Sequence, residues 1–183
     1  MNSVLDSSEE KTNGTKLLRL AIDGGTTVLR NYLMRSIIPS TLQDVLLNHM
    51  GRLYHLKSSK KIITSDQWNQ LFPSTSVPPN PQTFDITLLH LLLREVCGLT
   101  APADGWHKMP SETDLSVEAN IVRIKNFRNE LCHGMSTSIP NDKFQDKLHM
   151  ISQSLVALGL DQKEVDRLAT EPIDHDTERR VNE

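Results

Sequence analysis

Aromatic residues are scarce in this chain of 183 residues, at 4%. On count alone that argues against the base-stacking platforms that bind single-stranded nucleic acid. Cysteine is scarcer still. Cys97 and Cys132 are the two, and two thiols build neither a structural zinc site nor a disulfide framework. They read as small core residues in a reducing compartment. No apolar run nears the roughly 18 residues that a membrane-spanning helix needs. The opening residues "MNSVLDSSEEKTNG" are polar and acidic, where a signal peptide is basic and then apolar. The expectation is a cytoplasmic protein with no membrane contact. Excess charge is also lacking: a formal net charge of −3 excludes a broadly basic coat, so any RNA contact has to use a local patch.

What is present is helical periodicity. The segments 1–14 and 172–183 read as polar, flexible tails around a domain at 15–171. Leu17, Leu18, Ala21, Val28, Leu29, Tyr32 and Leu33 mark a first helix, interrupted by Gly24 and Gly25. Pro39 opens a second that continues through Leu42, Leu46, Leu53 and Leu56. "ITSDQWNQLF" reads as a short capped helix starting near Ser65, and the proline-rich "PSTSVPPNPQT" as a loop. "FDITLLHLLLREVCG" is a long helix whose polar Thr87, His90 and Arg94 share one narrow stripe, so most of its circumference is expected to be buried. A helix over 114–133 follows, with Thr113 or Asp114 as cap. The last two helices hold Phe144 to Leu158, stopped by Gly159, and a segment with Asp161 and Glu164 in capping-box positions. The pattern predicts an all-α bundle of four to five main helices plus short ones.

Several stretches invite a chemical reading. "AIDGGTT" (21–27) resembles a phosphate loop, but such a loop needs a strand before it and a hairpin after it. Here both flanks are helical, and the glycine pair reads instead as a place where helices approach closely, at about 1 kcal/mol of helix propensity per glycine. His49, His90, His107 and His149 have no metal-ligand spacing, and no metal or cofactor is expected. "RLYHLKSSKK" gathers Arg52, Lys57, Lys60 and Lys61. These cations are either a solvated helix end facing the macrodipole or a patch for the RNA backbone.

The stretch "FRNELCHG" raises the sharpest question. Ile121, Ile124, Phe127 and Leu131 form an apolar stripe, and Arg128 falls inside it. A guanidinium keeps its proton, so a buried one needs a carboxylate or a phosphate. One reading pairs Arg128 with Asp85 or Glu95 and leaves His133 as a helix-end cap. The other turns Arg128 into a cleft. Arg128 and His133 point about 140° apart on one ideal helix, so they converge if Gly134 ends the helix and turns His133, or if two copies of the helix face each other.

"RNELCH" resembles the Arg–polar–xxx–His signature of the HEPN superfamily. "ITSDQWNQLFP", "FDITLLHLLLREVCGLTAP" and "SVEANIVRIKNFRNELCHG" together resemble its branch named after the DAZ-interacting zinc-finger ubiquitin ligase, over about residues 16–171. The resemblance implies an all-helical, usually dimeric fold. In active members it implies a metal-independent endoribonuclease leaving a 2′,3′-cyclic phosphate, with Arg128, Asn129 and His133 as the motif residues and single-stranded RNA as substrate. Asn129 would orient the His133 imidazole. Members of this branch often carry one more residue before the histidine, a departure at the site itself. The ligase's RING cannot be built from two cysteines, so ubiquitin transfer by this chain alone is not expected. The rival expectation is a catalytically silent dimerisation or adaptor module for signalling or innate-immune partners.

Overall fold

The computed structural model describes residues 4–74, 76–133 and 138–171. Among them there is helix and no strand. The helices are α1 (Val4–Arg19), α2 (Gly25–Ser36), α3 (Leu42–Asn48), α4 (Met50–Ser58), α5 (Ser65–Leu71), α6 (Ile86–Glu95), α7 (Val117–His133), α8 (Asn141–Ala157) and α9 (Gln162–Thr170). Five of these have ten residues or more, as the periodicity predicts. The chain divides into two compact units, one from residues 1–28 with 101–183 and the other from 29–100.

In the first unit, α1, α7 and α8 pack against one another, and α9 packs on α1 and α8. Leu17, Ile139 and Phe144 form a buried cluster flanked by Leu131 and Leu148, which anchors the last turn of α7. Over residues 4–14 the structure corrects the reading of a tail, and 1–3 lie outside the described residues. Helix α1 runs back to Val4, and Asn13 is buried with its Nδ2 donating to Ile139 O and Asn141 Oδ1. Ile139 N–H donates to Glu10 O in return. These partners lie more than 120 residues away in sequence, so local composition gave no sign of them. The segment 172–183 lies outside the described residues.

Between α1 and α2 the chain makes one wide π turn, Leu20–Gly24. A Cβ on Gly24 would stand 2.9 Å from Leu155 Cδ1, so this glycine does let α8 approach closely. Arg19 is buried just before the turn, and its Nη2 donates to the carbonyls of Leu168 and Glu171. It thereby satisfies orphan acceptors at the end of α9. Glu164 departs from its expected capping role. Asp161 accepts from Lys163 N, while Glu164 pairs with Arg167.

In the second unit, the helix expected to run unbroken after Pro39 divides at His49. His49 Nδ1 lies 2.8 Å from Val45 O, competing for an acceptor of the helical ladder. The capped helix near Ser65 is α5. Thr64 Oγ1 accepts from Gln67 N and Gln67 Oε1 accepts from Thr64 N, a complete capping box. Helix α6 buries seven of its ten residues, including His90 from the polar stripe.

Candidate functional site

Helix α7 begins three residues later than expected. Ser116 is its cap, with Oγ accepting from Ala119 N at 3.1 Å, while Asp114 Oδ1 accepts from Ser116 N one step earlier. Neither Thr113 nor Asp114 caps the helix itself. Hydrogen bonds from Ser116, its side chain first and then its backbone, hold the Asp114 carboxyl below its ordinary range. Along α7 the residues Ala119, Ile121, Val122, Ile124 and Phe127 are buried, and Arg128 follows directly on this stripe.

The guanidinium of Arg128 is half-buried and has no acidic partner among the described residues. Its Nε is shielded from solvent and makes no hydrogen bond. Its Nη1 donates to Asn129 Oδ1 at 3.3 Å, a long and weak contact. Both acids weighed as structural partners are engaged elsewhere. Asp85 caps α6, accepting from Leu88 N at 2.7 Å and from Gln67 Nε2. Glu95 accepts from Arg52 Nε at 2.9 Å and pairs with Arg94 at 3.1 Å. Burial alone would raise the Glu95 pKa. The hydrogen bond and charge of Arg52, then those of Arg94, outweigh burial and hold it below the ordinary glutamate value.

Asn129 turns its carbonyl oxygen to Arg128. His133 is exposed at the end of α7. Arg128 and Asn129 are brought together, and His133 lies one turn after Asn129 on the same helix.

Of the basic run, Arg52 is tied to Glu95, and Lys57 Nζ lies 5.2 Å over the ring of Trp68. Lys60 and Lys61 are exposed and have no ion pair among the described residues. Sequence reasoning missed the rings around Lys57. Tyr54 meets Trp68 edge-on at 5.7 Å, and Phe72 packs on Trp68 at 4.5 Å. The i, i+4 spacing of Trp68 and Phe72 was a signal that could have found them.

A family profile described as DZIP3/hRUL138-like HEPN matches residues 39–181, a span that holds both the basic run and the α7 motif. The E3 ubiquitin-protein ligase DZIP3 of Homo sapiens is 27% identical over 164 residues, which is 87% of this chain and 13% of that protein. The Mus musculus protein of the same name is also 27% identical over 164 residues, there 14% of its length. The chain thus spans about a seventh of the curated relatives that it matches. No solved structure matches it.

Proposed function

The chain belongs to the DZIP3/hRUL138-like HEPN family, and from that membership we propose that α7 carries a site that binds single-stranded RNA and cleaves it without a metal. The observation that supports this most is Arg128: a half-buried guanidinium with a bare Nε and, among the described residues, no acid paired with it. A permanent cation in that setting is stabilised by an incoming anion, and its planar fork suits two phosphate oxygens.

The reaction is a transesterification. The 2′-oxygen attacks the adjacent phosphorus, the bond from phosphorus to the 5′-oxygen breaks, and the products are a 2′,3′-cyclic phosphate and a free 5′-hydroxyl. One proton leaves the 2′-hydroxyl and one reaches the 5′-oxygen. An imidazole titrates near neutrality and can serve either transfer, which is the role of His133. Arg128 offsets the charge that builds on the non-bridging oxygens. The two side chains diverge by about 140° on one helix, so the complete site joins Arg128 of one copy to His133 of a second across a two-fold axis. Incubating the purified protein with labelled single-stranded RNA, with and without chelator, tests the proposal. Chelator-resistant cleavage to cyclic phosphate ends is the expected result.

One observation favours the rival adaptor role. The Asn129 carbonyl oxygen meets Arg128, and no hydrogen bond from Asn129 to the His133 ring is present among the described residues. A chain that dimerises but leaves RNA intact would fit that role, with protein partners in signalling assemblies, as would a partnership in ubiquitin transfer that other chains carry out.

A further inference from the structure

Residues 52–72 carry four cations, Arg52, Lys57, Lys60 and Lys61, against the single carboxylate of Asp66, in a chain whose net charge is −3. Three of the chain's eight aromatic residues lie in the same stretch and touch one another. Tyr54 is 56% exposed, which is unusual for a ring of its size packed against a tryptophan. Lys57 places its ammonium over Trp68, inside the patch rather than at its edge. Helix α4 then closes with Ile62 N–H reaching back six residues to Leu56 O at 2.9 Å. The residue in the left-handed position is Lys61 at φ 55°, where glycine is the usual occupant. The strained position therefore holds a cation, next to exposed Lys60.

We propose that Tyr54, Trp68 and Lys57, with Lys60 and Lys61, form a second contact for single-stranded RNA, in which a base stacks on the open face of Tyr54 and the lysines hold the flanking phosphates. The choice of ligand rests on the RNA reading of the α7 site, but the residues are a separate set. The chemistry favours nucleic acid over a protein partner. Protein-binding patches are depleted in lysine at their centre, whereas base-stacking grooves combine rings with cations. The scarcity of aromatics that argued against such a platform is offset by their collection at one place.

The test uses a 2′-O-methyl adenosine dodecamer, which has no free 2′-hydroxyl and survives any cleavage at α7. Inorganic polyphosphate and a poly-glutamate peptide serve as polyanions without bases. The dodecamer is expected to quench Trp68 emission in a Trp106→Phe background, and polyphosphate is not. Should Trp106→Phe disturb folding, affinities of single variants in the unaltered background carry the test. Tyr54→Ala, at an exposed ring, is expected to weaken dodecamer binding roughly tenfold. Lys60→Ala with Lys61→Ala should lower the slope of log affinity against log salt by about 1.4, or about 0.7 for each phosphate no longer neutralised. Unchanged affinity in Tyr54→Ala overturns the proposal, and so does equal binding of polyphosphate. Equally tight binding of poly-glutamate overturns it in favour of an acidic protein partner. If these variants bind normally while Arg128→Met loses binding, the patch falls and the α7 site stands. If the reverse holds, the patch stands alone.

Discussion

At the scale of single residues, Arg128 separates function from structure. Its place on the apolar stripe was legible in the sequence because helical spacing alone fixes it. Its want of an acidic partner among the described residues was not, because the commitments of Asp85 and Glu95 depend on Gln67, Arg52 and the first turn of α6. An arginine paired with a buried acid would cost roughly 3–5 kcal/mol on removal. Here Arg128→Met keeps the apolar stem, deletes a buried nitrogen without a partner and strands no carboxylate. Thermal melting should therefore change by no more than about 1 kcal/mol in stability. Lys61 makes the opposite trade. Lys61→Gly relieves a left-handed lysine and should raise stability by about 1 kcal/mol. The same change should weaken dodecamer binding, so melting and affinity move in opposite directions.

At the scale of elements, local rules worked where the partners were local. The cap of α5 was readable because Thr64 and Gln67 are three residues apart. The start of α7 was not, because Thr113, Asp114 and Ser116 all have capping chemistry and only the fold selects Ser116. The first part of α1 was missed because Asn13 bonds to residues that arrive after α7. The glycines give a test of the same distinction. Gly24→Ala drives a methyl group against Leu155 in a filled core and should destabilise by about 1–3 kcal/mol. Gly51→Ala, in α4 with nothing within 4 Å of the new Cβ, should stabilise by about 0.5–1 kcal/mol. Denaturant melts of the two variants should shift in opposite directions.

At the scale of the whole molecule, the proposed chemistry needs two copies. Arg128 and His133 diverge by about 140° on one ideal helix, and sedimentation at micromolar concentration should give about twice the chain mass. The central claim, that one copy's Arg128 works with the other's His133, has a direct readout in RNA cleavage by mixed variants. Arg128→Met and His133→Ala should each be inactive alone and melt like the parent. Mixed in equal amounts and allowed to exchange, they should recover about a quarter of parental cleavage, since half the dimers pair unlike chains and each of those has one intact site. No recovery in exchanged dimers of an active parent, or a parent that leaves RNA uncut, would contradict the account.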